Sequence, residues 1–256
     1  MRADPNLIPV AGGSDSERLQ NWVNHLQQLA DFSKAETVEA LTNDRTPEGC
    51  LKWLHKVTDV EDQNLDDILK PLDQLPEEQR AKMLPACKAG CAHCCHQAVR
   101  ADVPEVIALH EHIVKNCDQE TIDLYKERAR QYQKDYSSRE PGSRVNVPCP
   151  MLIDDKCSAY EARPIICRGF TSLSAKRCEE WRFDKYDALK VRVPVIDPLF
   201  KVSYTLRHGV YSGLSATELP QHDVVLGLAL NIVLNEPDAV DRYFAGEDAF
   251  DSARPE

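Results

Sequence analysis

Four cysteines fall within nine residues, in the stretch Cys87-Lys-Ala-Gly-Cys91-Ala-His-Cys94-Cys95. No other feature of the chain restricts its fold as much. Free thiols packed this closely are an oxidation hazard unless something holds them. A metal site needs several soft donors converging at about 2.3 Å on one ion. Short spacings deliver that at little cost in loop entropy. On a helix, positions 87, 91, 94 and 95 would share one face. Gly90 argues instead for a turn, which lets backbone amides approach the sulfurs.

A second group follows: Cys149-Pro150-Met-Leu-Ile-Asp-Asp-Lys-Cys157, then Cys167-Arg168, then Cys178. A proline directly after a ligand cysteine also ends the bacterial ferredoxin cysteine run. Two further cysteines, Cys50 and Cys117, sit on apolar helical faces and read as small hydrophobes. That leaves Cys87, Cys91, Cys94, Cys95, Cys149, Cys157, Cys167 and Cys178 as candidate metal ligands. His93 and His96 flank the first cluster. Either could join a mixed zinc site, but with cysteines in sufficient number both are expected to face solvent. His110 shares the apolar face of its helix and reads as a core histidine. Arg100, Arg163 and Arg168 are candidates to offset the negative charge of ligated thiolates. Glu161 is a candidate to orient Arg163 or Arg168 by a bidentate pair, with a salt bridge between turns as the equal alternative.

Metal ligation fits the compartment the chain implies. Met1 to Ser16 has no long apolar stretch behind a basic start, so no secretory signal is read there. The longest apolar run, Val224 to Leu234, has eleven residues with Asn231 inside, and a span needs about 20. The expected location is the cytoplasm, where thiols stay reduced and clustered cysteines read as ligands or redox groups rather than disulfides. With 31 basic against 42 acidic residues, the net charge is -11. That balance disfavours broad nucleic-acid binding; a protein partner or substrate is expected instead.

The remaining sequence reads as helix. Residues 1 to about 14 look like a loose tail. Ser14 or Asp15 caps a helix with Leu19, Trp22, Val23, Leu26 and Leu29 as its apolar stripe, and more helix runs from Ala35 to Leu41. Thr46-Pro47-Glu48 starts another, carrying Leu51, Trp53, Leu54 and Val57. Residues 60 to 84 are acidic, with Pro71 and Pro76 as breaks. Asp102-Val103-Pro104-Glu105 is a strong helix start, and Val106, Ile107, His110, Ile113, Val114 and Cys117 continue that face. Asp118 to Arg139 is a charged helix, ended by Glu140-Pro141-Gly142-Ser143. Val145 to Cys167 reads as irregular with small strands. Pro198 to Tyr211 and Pro220 to Leu234 read as helices, and the acidic tail after Glu247 as frayed. There is no strand–helix alternation of the kind that builds a parallel sheet. The expected fold is mainly α: a helical bundle-like scaffold around a small irregular cysteine-rich metal-binding centre with at most short strands. Its parts would be an N-terminal helical region over 1–84, a cysteine-cluster domain over 85–190, and C-terminal helices over 191–256 packing on the centre.

The stretch Cys87 to Cys95, the helix start at Asp102 to Glu105, and Cys149-Pro-Met-Leu-Ile-Asp-Asp-Lys-Cys157-Ser-Ala-Tyr-Glu-Ala-Arg-Pro-Ile-Ile-Cys167-Arg together resemble the YkgJ-type cysteine cluster family. The likeness covers residues 85 to 180, and Tyr160-Glu161, Arg163-Pro164 and Cys167-Arg168 are its more specific part. It implies a zinc- or iron-chelating domain with eight recurring cysteines, here at 87, 91, 94, 95, 149, 157, 167 and 178. The family's naming motif is C-x2-C-x2-C-C; this chain has three residues between Cys87 and Cys91. The C-x3-C-x2-C spacing that results is similar to the three-cysteine signature of radical S-adenosylmethionine enzymes. Those place it after the first strand of a β/α barrel, a context absent here.

Three functional readings follow. The first is a metal-binding protein holding an iron–sulfur cluster, with [4Fe–4S] favoured, or zinc, in a redox or metal-handling role. The second comes from the resemblance, since the family includes flagellin lysine N-methylases: an S-adenosylmethionine-dependent protein lysine N-methyltransferase. No G-x-G loop after a strand supports a nucleotide cofactor, and no catalytic residue stands out. The third is a structural zinc module for protein interaction, its metal stapling an irregular segment to the helices.

Overall fold

The computed structural model describes residues 14–140, 143–184 and 191–255; the predicted N-terminal tail and the Pro141-Gly142 break lie outside them. The chain is mainly α. Its first helix, α1 (Asp15–Asn43), is continuous across both predicted helical pieces. Ser14 caps it: its hydroxyl accepts from the Glu17 N–H, and the Glu17 carboxylate accepts from the Ser14 N–H at 2.7 Å. This reciprocal pair satisfies donors that a helix start leaves unpaired. Helix α2 (Pro47–Leu69) starts where predicted, with the Thr46 hydroxyl accepting from the Gly49 N–H at 3.0 Å. A 3-10 turn (Lys70–Gln74) and α3 (Glu77–Met83) divide at Pro76.

The predicted stripe of α1 is half right. Trp22 and Leu29 are buried, but Leu19 and Val23 are 55% and 51% exposed. The buried row continues instead through Ser33, Thr37 and Leu41. The reason is α8 (Asp197–Leu214), which lies against α1. The two backbones approach so closely that a Cβ on Gly209 would sit 2.0 Å from Ser33 Oγ and 2.3 Å from the Ala30 carbonyl. Only small side chains fit along that seam. The Ser33 hydroxyl crosses it to donate to the Leu206 carbonyl at 2.8 Å.

Helix α4 (Val103–Asn116) begins at the predicted Asp102 cap, with the Glu105 carboxylate accepting the Asp102 N–H at 2.8 Å. Val106, Ile107 and Ile113 are buried as expected; Val114 is not, at 48% exposed, because it points away from α2 and α9 (Leu226–Asn235), on which α4 packs. Helix α5 (Gln119–Ser137) is the predicted charged helix and lies on α9. Two further readings need correction. The segment after Pro220 opens as a strand: β1 (Arg100–Asp102) pairs antiparallel with β4 (Asp223–Val225), and only then does α9 begin. The C-terminal tail does not fray. After α10 (Ala239–Phe244), Ala249, Phe250 and Ala253 are buried, and a 3-10 turn (Asp251–Ala253) closes the chain. Phe250 packs edge-on against Tyr243, so apolar burial outweighs the acidity of its neighbours. Among the described residues no helix is long and apolar enough to cross a membrane.

Candidate metal centre

Cys87, Cys91, Cys94, Cys95, Cys149 and Cys157 lie outside the α-helices, in the segments between them. Ala86 donates to the Ser172 carbonyl at 2.8 Å, and the Ser172 N–H points back at Cys87 Sγ at 3.4 Å. The chain then turns: Cys91 N–H closes on the Lys88 carbonyl at 2.9 Å, and Gly90 takes φ 88°. That left-handed backbone is one glycine adopts freely, so the predicted turn is present and takes up the extra residue between Cys87 and Cys91. A single 3-10 turn (Cys94–His96) follows.

The second stretch of cysteines is bonded directly onto the first. Cys149 N–H donates to the Cys95 carbonyl at 2.8 Å and Val147 N–H to the His96 carbonyl at 3.0 Å. Beyond Pro150, strands β2 (Leu152–Ile153) and β3 (Lys156–Cys157) form a minimal hairpin, pairing Leu152 with Cys157. Its turn residues, Asp154 and Asp155, both have positive φ, at 48° and 57°; aspartate tolerates that region better than most side chains. Arg128 of α5 clamps this loop, donating to the Pro150 carbonyl at 2.9 Å and also to that of Leu152. Helix α6 (Ile165–Gly169) carries Cys167. Its start is fixed by Glu105, whose second carboxylate oxygen accepts the Ile165 N–H at 2.9 Å. Its end presses on α8, where a Cβ on Gly169 would lie 1.8 Å from Ser203 Oγ. Cys178 sits buried on α7 (Ala175–Phe183).

These placements put the thiols within electrostatic reach of one another. Cys94 is raised first by its hydrogen bond with the Cys95 thiol and then by burial. Burial pushes Cys149 up to about 12, with Cys157 and Cys94 adding to it. Cys167 is raised well above the thiol range by burial, then by Cys94, Cys149 and Cys157. Cys157 is raised by burial, against the pull of Arg163 and Arg168. Burial also raises Cys87 and Cys178; Ser172 opposes both, through its N–H to Cys87 and its hydroxyl to Cys178. Cys91 and Cys94 add to the rise at both of these residues. All ten cysteines are free. Thiols held neutral this way become thiolates when a cation replaces their protons, and that donor set suits zinc or iron. The shell is not closed as it stands: among the described residues, no three Cys, His, Asp or Glu side chains converge tightly enough to hold an ion.

The histidines differ from expectation. His96 is buried, and its Nδ1 lies 2.9 Å from the Ala92 carbonyl. Nδ1 therefore carries the proton and donates, which leaves Nε2 as the ring's acceptor. Burial lowers its pKa. His93 is half-buried, with an Nδ1 that is shielded from solvent and unpartnered. Neither ring stands free in solvent, because the 3-10 turn folds back under the loop at 147–149. His110 is mostly covered, as expected of a core histidine, and burial lowers it.

The arginines divide. Arg163 stacks on the Tyr160 ring at 3.9 Å and Arg168 is buried near Cys157. Arg168 does not take the Glu161 carboxylate; it donates to that residue's main-chain carbonyl at 2.6 Å and to Asp62 of α2 at 2.5 Å. Arg100 belongs elsewhere, pairing with Asp223 at 3.8 Å on the β1–β4 ribbon. Sequence reasoning missed Arg128 and Ser172. Both act on main-chain groups or sulfur over long separations, which leaves no local signal. It also missed Glu61, a buried carboxylate that accepts from the Ser203 hydroxyl.

An irregular loop core lined with thiols and fastened to helices at its edges defines a cysteine-cluster domain. Residues 86–188 match the family model of the CxxCxxCC domain, described as a putative zinc- or iron-chelating domain. No curated protein and no solved structure matches the chain.

Proposed function

We propose that this protein binds metal through Cys87, Cys91, Cys94, Cys95, Cys149, Cys157, Cys167 and Cys178, as an iron–sulfur cluster in preference to zinc, and serves a redox or metal-handling role toward a protein partner. The observation that carries the reading is the Cys149 N–H bond to the Cys95 carbonyl. It fastens the second group of thiols onto the first, so donors far apart in sequence share one neighbourhood. The all-thiol bias and the Cys149-Pro150 step favour iron–sulfur. A bound cluster would supply one-electron chemistry. The chain's own contribution is to hold the sulfurs, to shield all but the exposed Cys87 at least in part, and to place Arg163 and Arg168 where they favour thiolate at Cys157.

Anaerobic purification followed by absorption spectroscopy and metal analysis tests this. A brown protein with broad visible absorption and matching iron and sulfide is expected. Colourless protein with stoichiometric zinc overturns the iron–sulfur assignment, and protein that takes up neither metal overturns the whole reading.

A further inference from the structure

A cleft of about 530 Å³ opens away from the thiols, between α8, the residues leading into β4, and the C-terminal turn. On α8 its wall is Tyr204, Arg207, His208 and Tyr211. Their spacing of three, four and seven residues places them on one helix face. The two tyrosine rings are 56% and 44% exposed, and they flank the arginine and histidine between them. Arg254 stands on the lining from the C-terminal turn.

The charged groups are already fixed. Arg207 is held by Asp223, itself on the lining, at 2.5 Å and faces the buried Asp102 at 3.4 Å. Arg254 is held by Asp248 at 2.5 Å and Asp251 at 2.7 Å. These pairs set the direction of both guanidinium forks and occupy the carboxylates. With Asp223 engaged by Arg207, the groups left for a guest are N–H donors of arginine and histidine and two phenol hydroxyls that donate or accept. The volume lies in the range of small-molecule sites, roughly 300–1,000 Å³.

We propose that this cleft binds a small planar ligand bearing an oxyanion, with its ring against Tyr204 and Tyr211 and its phosphate or carboxylate against Arg254 and Arg207. The bound carboxylates neutralise much of the local positive charge, so the oxyanion alone binds weakly. The ring alone binds weakly too, and the pair together gives the affinity. The site uses no cysteine, so it stands apart from the metal reading.

Calorimetry on the full chain would compare 5′-AMP and 4-hydroxybenzoate, which combine both features, with adenosine and inorganic phosphate, which have one each. At least one of the first two should bind about tenfold or more tightly than either control, a factor that one lost contact group accounts for. Tyr204→Ala, Tyr211→Ala and Arg254→Ala should each weaken it about tenfold. The tyrosines are exposed, so their variants keep the fold even if Arg254→Ala loosens the C-terminal turn. The preferred anion separates a phosphate ligand from a carboxylate one. No heat from either planar anion at millimolar concentration overturns the proposal. So does binding that both tyrosine variants leave unchanged, or adenosine binding as tightly as 5′-AMP.

Discussion

The helical scaffold and the cysteine-rich centre are held together by different forces. The scaffold buries Leu41, Leu54, Ile107, Leu206 and Phe250 almost completely, and α1 meets α8 at backbone distance through Ser33 and Gly209. Burial of that kind contributes about 25 cal/mol for each Å² of apolar surface removed from water. The centre has two-residue strands, single 3-10 turns and scattered main-chain bonds. Its apolar interior is small: Val147, Met151, Ala159, Ala162 and Ile165 join the common core, and most of the thiols around them are only half-buried. The contrast teaches that the scaffold rests on apolar burial throughout, whereas the centre has fewer apolar groups and stands to gain most from the proposed ligation of its sulfurs. Arg168 joins the two, since it is buried in the centre and paired with Asp62 of α2.

Cys149→Ser tests the contrast most severely. Structural metal sites contribute on the order of 10 kcal/mol to the folds that need them. The variant should lose bound metal and, in the metal-loaded state, melt far below the parent. In the metal-depleted state the gap should shrink to the cost of a serine hydroxyl at this buried position, about 1–3 kcal/mol. Metal content that stays at the parent level would remove Cys149 from the ligand set. Leu54→Ala, fully buried on α2, should cost about 2–5 kcal/mol. The same cost should appear with and without metal. A cost that depends on metal would mean that the two regions do not stand apart as described. Arg168→Ala strikes both regions. It removes the hydrogen bonds to the half-exposed Asp62 and to the Glu161 carbonyl, a loss of about 1–3 kcal/mol. Chemical denaturation should show that loss, together with weaker metal retention; retention equal to the parent would confine Arg168 to the scaffold.

Much of this was legible in the sequence where the chemistry is local. The starts at Ser14, Thr46 and Asp118 follow from a side chain reaching a backbone group three residues on, and the start at Asp102 from the Glu105 side chain reaching three residues back; such a pattern is printed in consecutive letters. The turn at Gly90 and the cysteine spacing are local too. What was missed depends on distant partners. Leu19 and Val23 look like core but are exposed, because α8 offers its close approach to Ser33 and Thr37 instead. The β1–β4 pairing joins Arg100–Asp102 to a segment more than a hundred residues later, with three residues on each side, too short for any alternation to register. Phe250 looked like part of an acidic tail until Tyr243 covered it. In the centre, Arg128 binds main-chain carbonyls that every residue has, and Ser172 reaches Cys87 with a main-chain N–H that every non-proline residue has, so neither is announced by its residue type.

The smallest predicted effect concerns a carboxylate that belongs wholly to the scaffold. Asp102 is buried, and neither of its oxygens has a hydrogen-bond partner. Burial raises it well above the ordinary carboxylate range, Glu105 adds to that, and Arg207 only partly offsets it. Its proton is therefore held more tightly in the folded chain than in the unfolded one, where aspartate ionises near about pH 4. Above that pH the folded state binds more protons, so stability falls as pH rises toward the folded value. Asp102→Asn removes this titration while Arg207 keeps Asp223. The variant should lose less stability than the parent between about pH 5 and 7, read as a shallower slope of denaturation midpoint against pH. Thiols titrate in parent and variant alike, so the difference in slope isolates Asp102. Equal slopes would mean that Arg207 already holds Asp102 ionised throughout that window, and that the scaffold carries a buried ion pair and not a neutral acid.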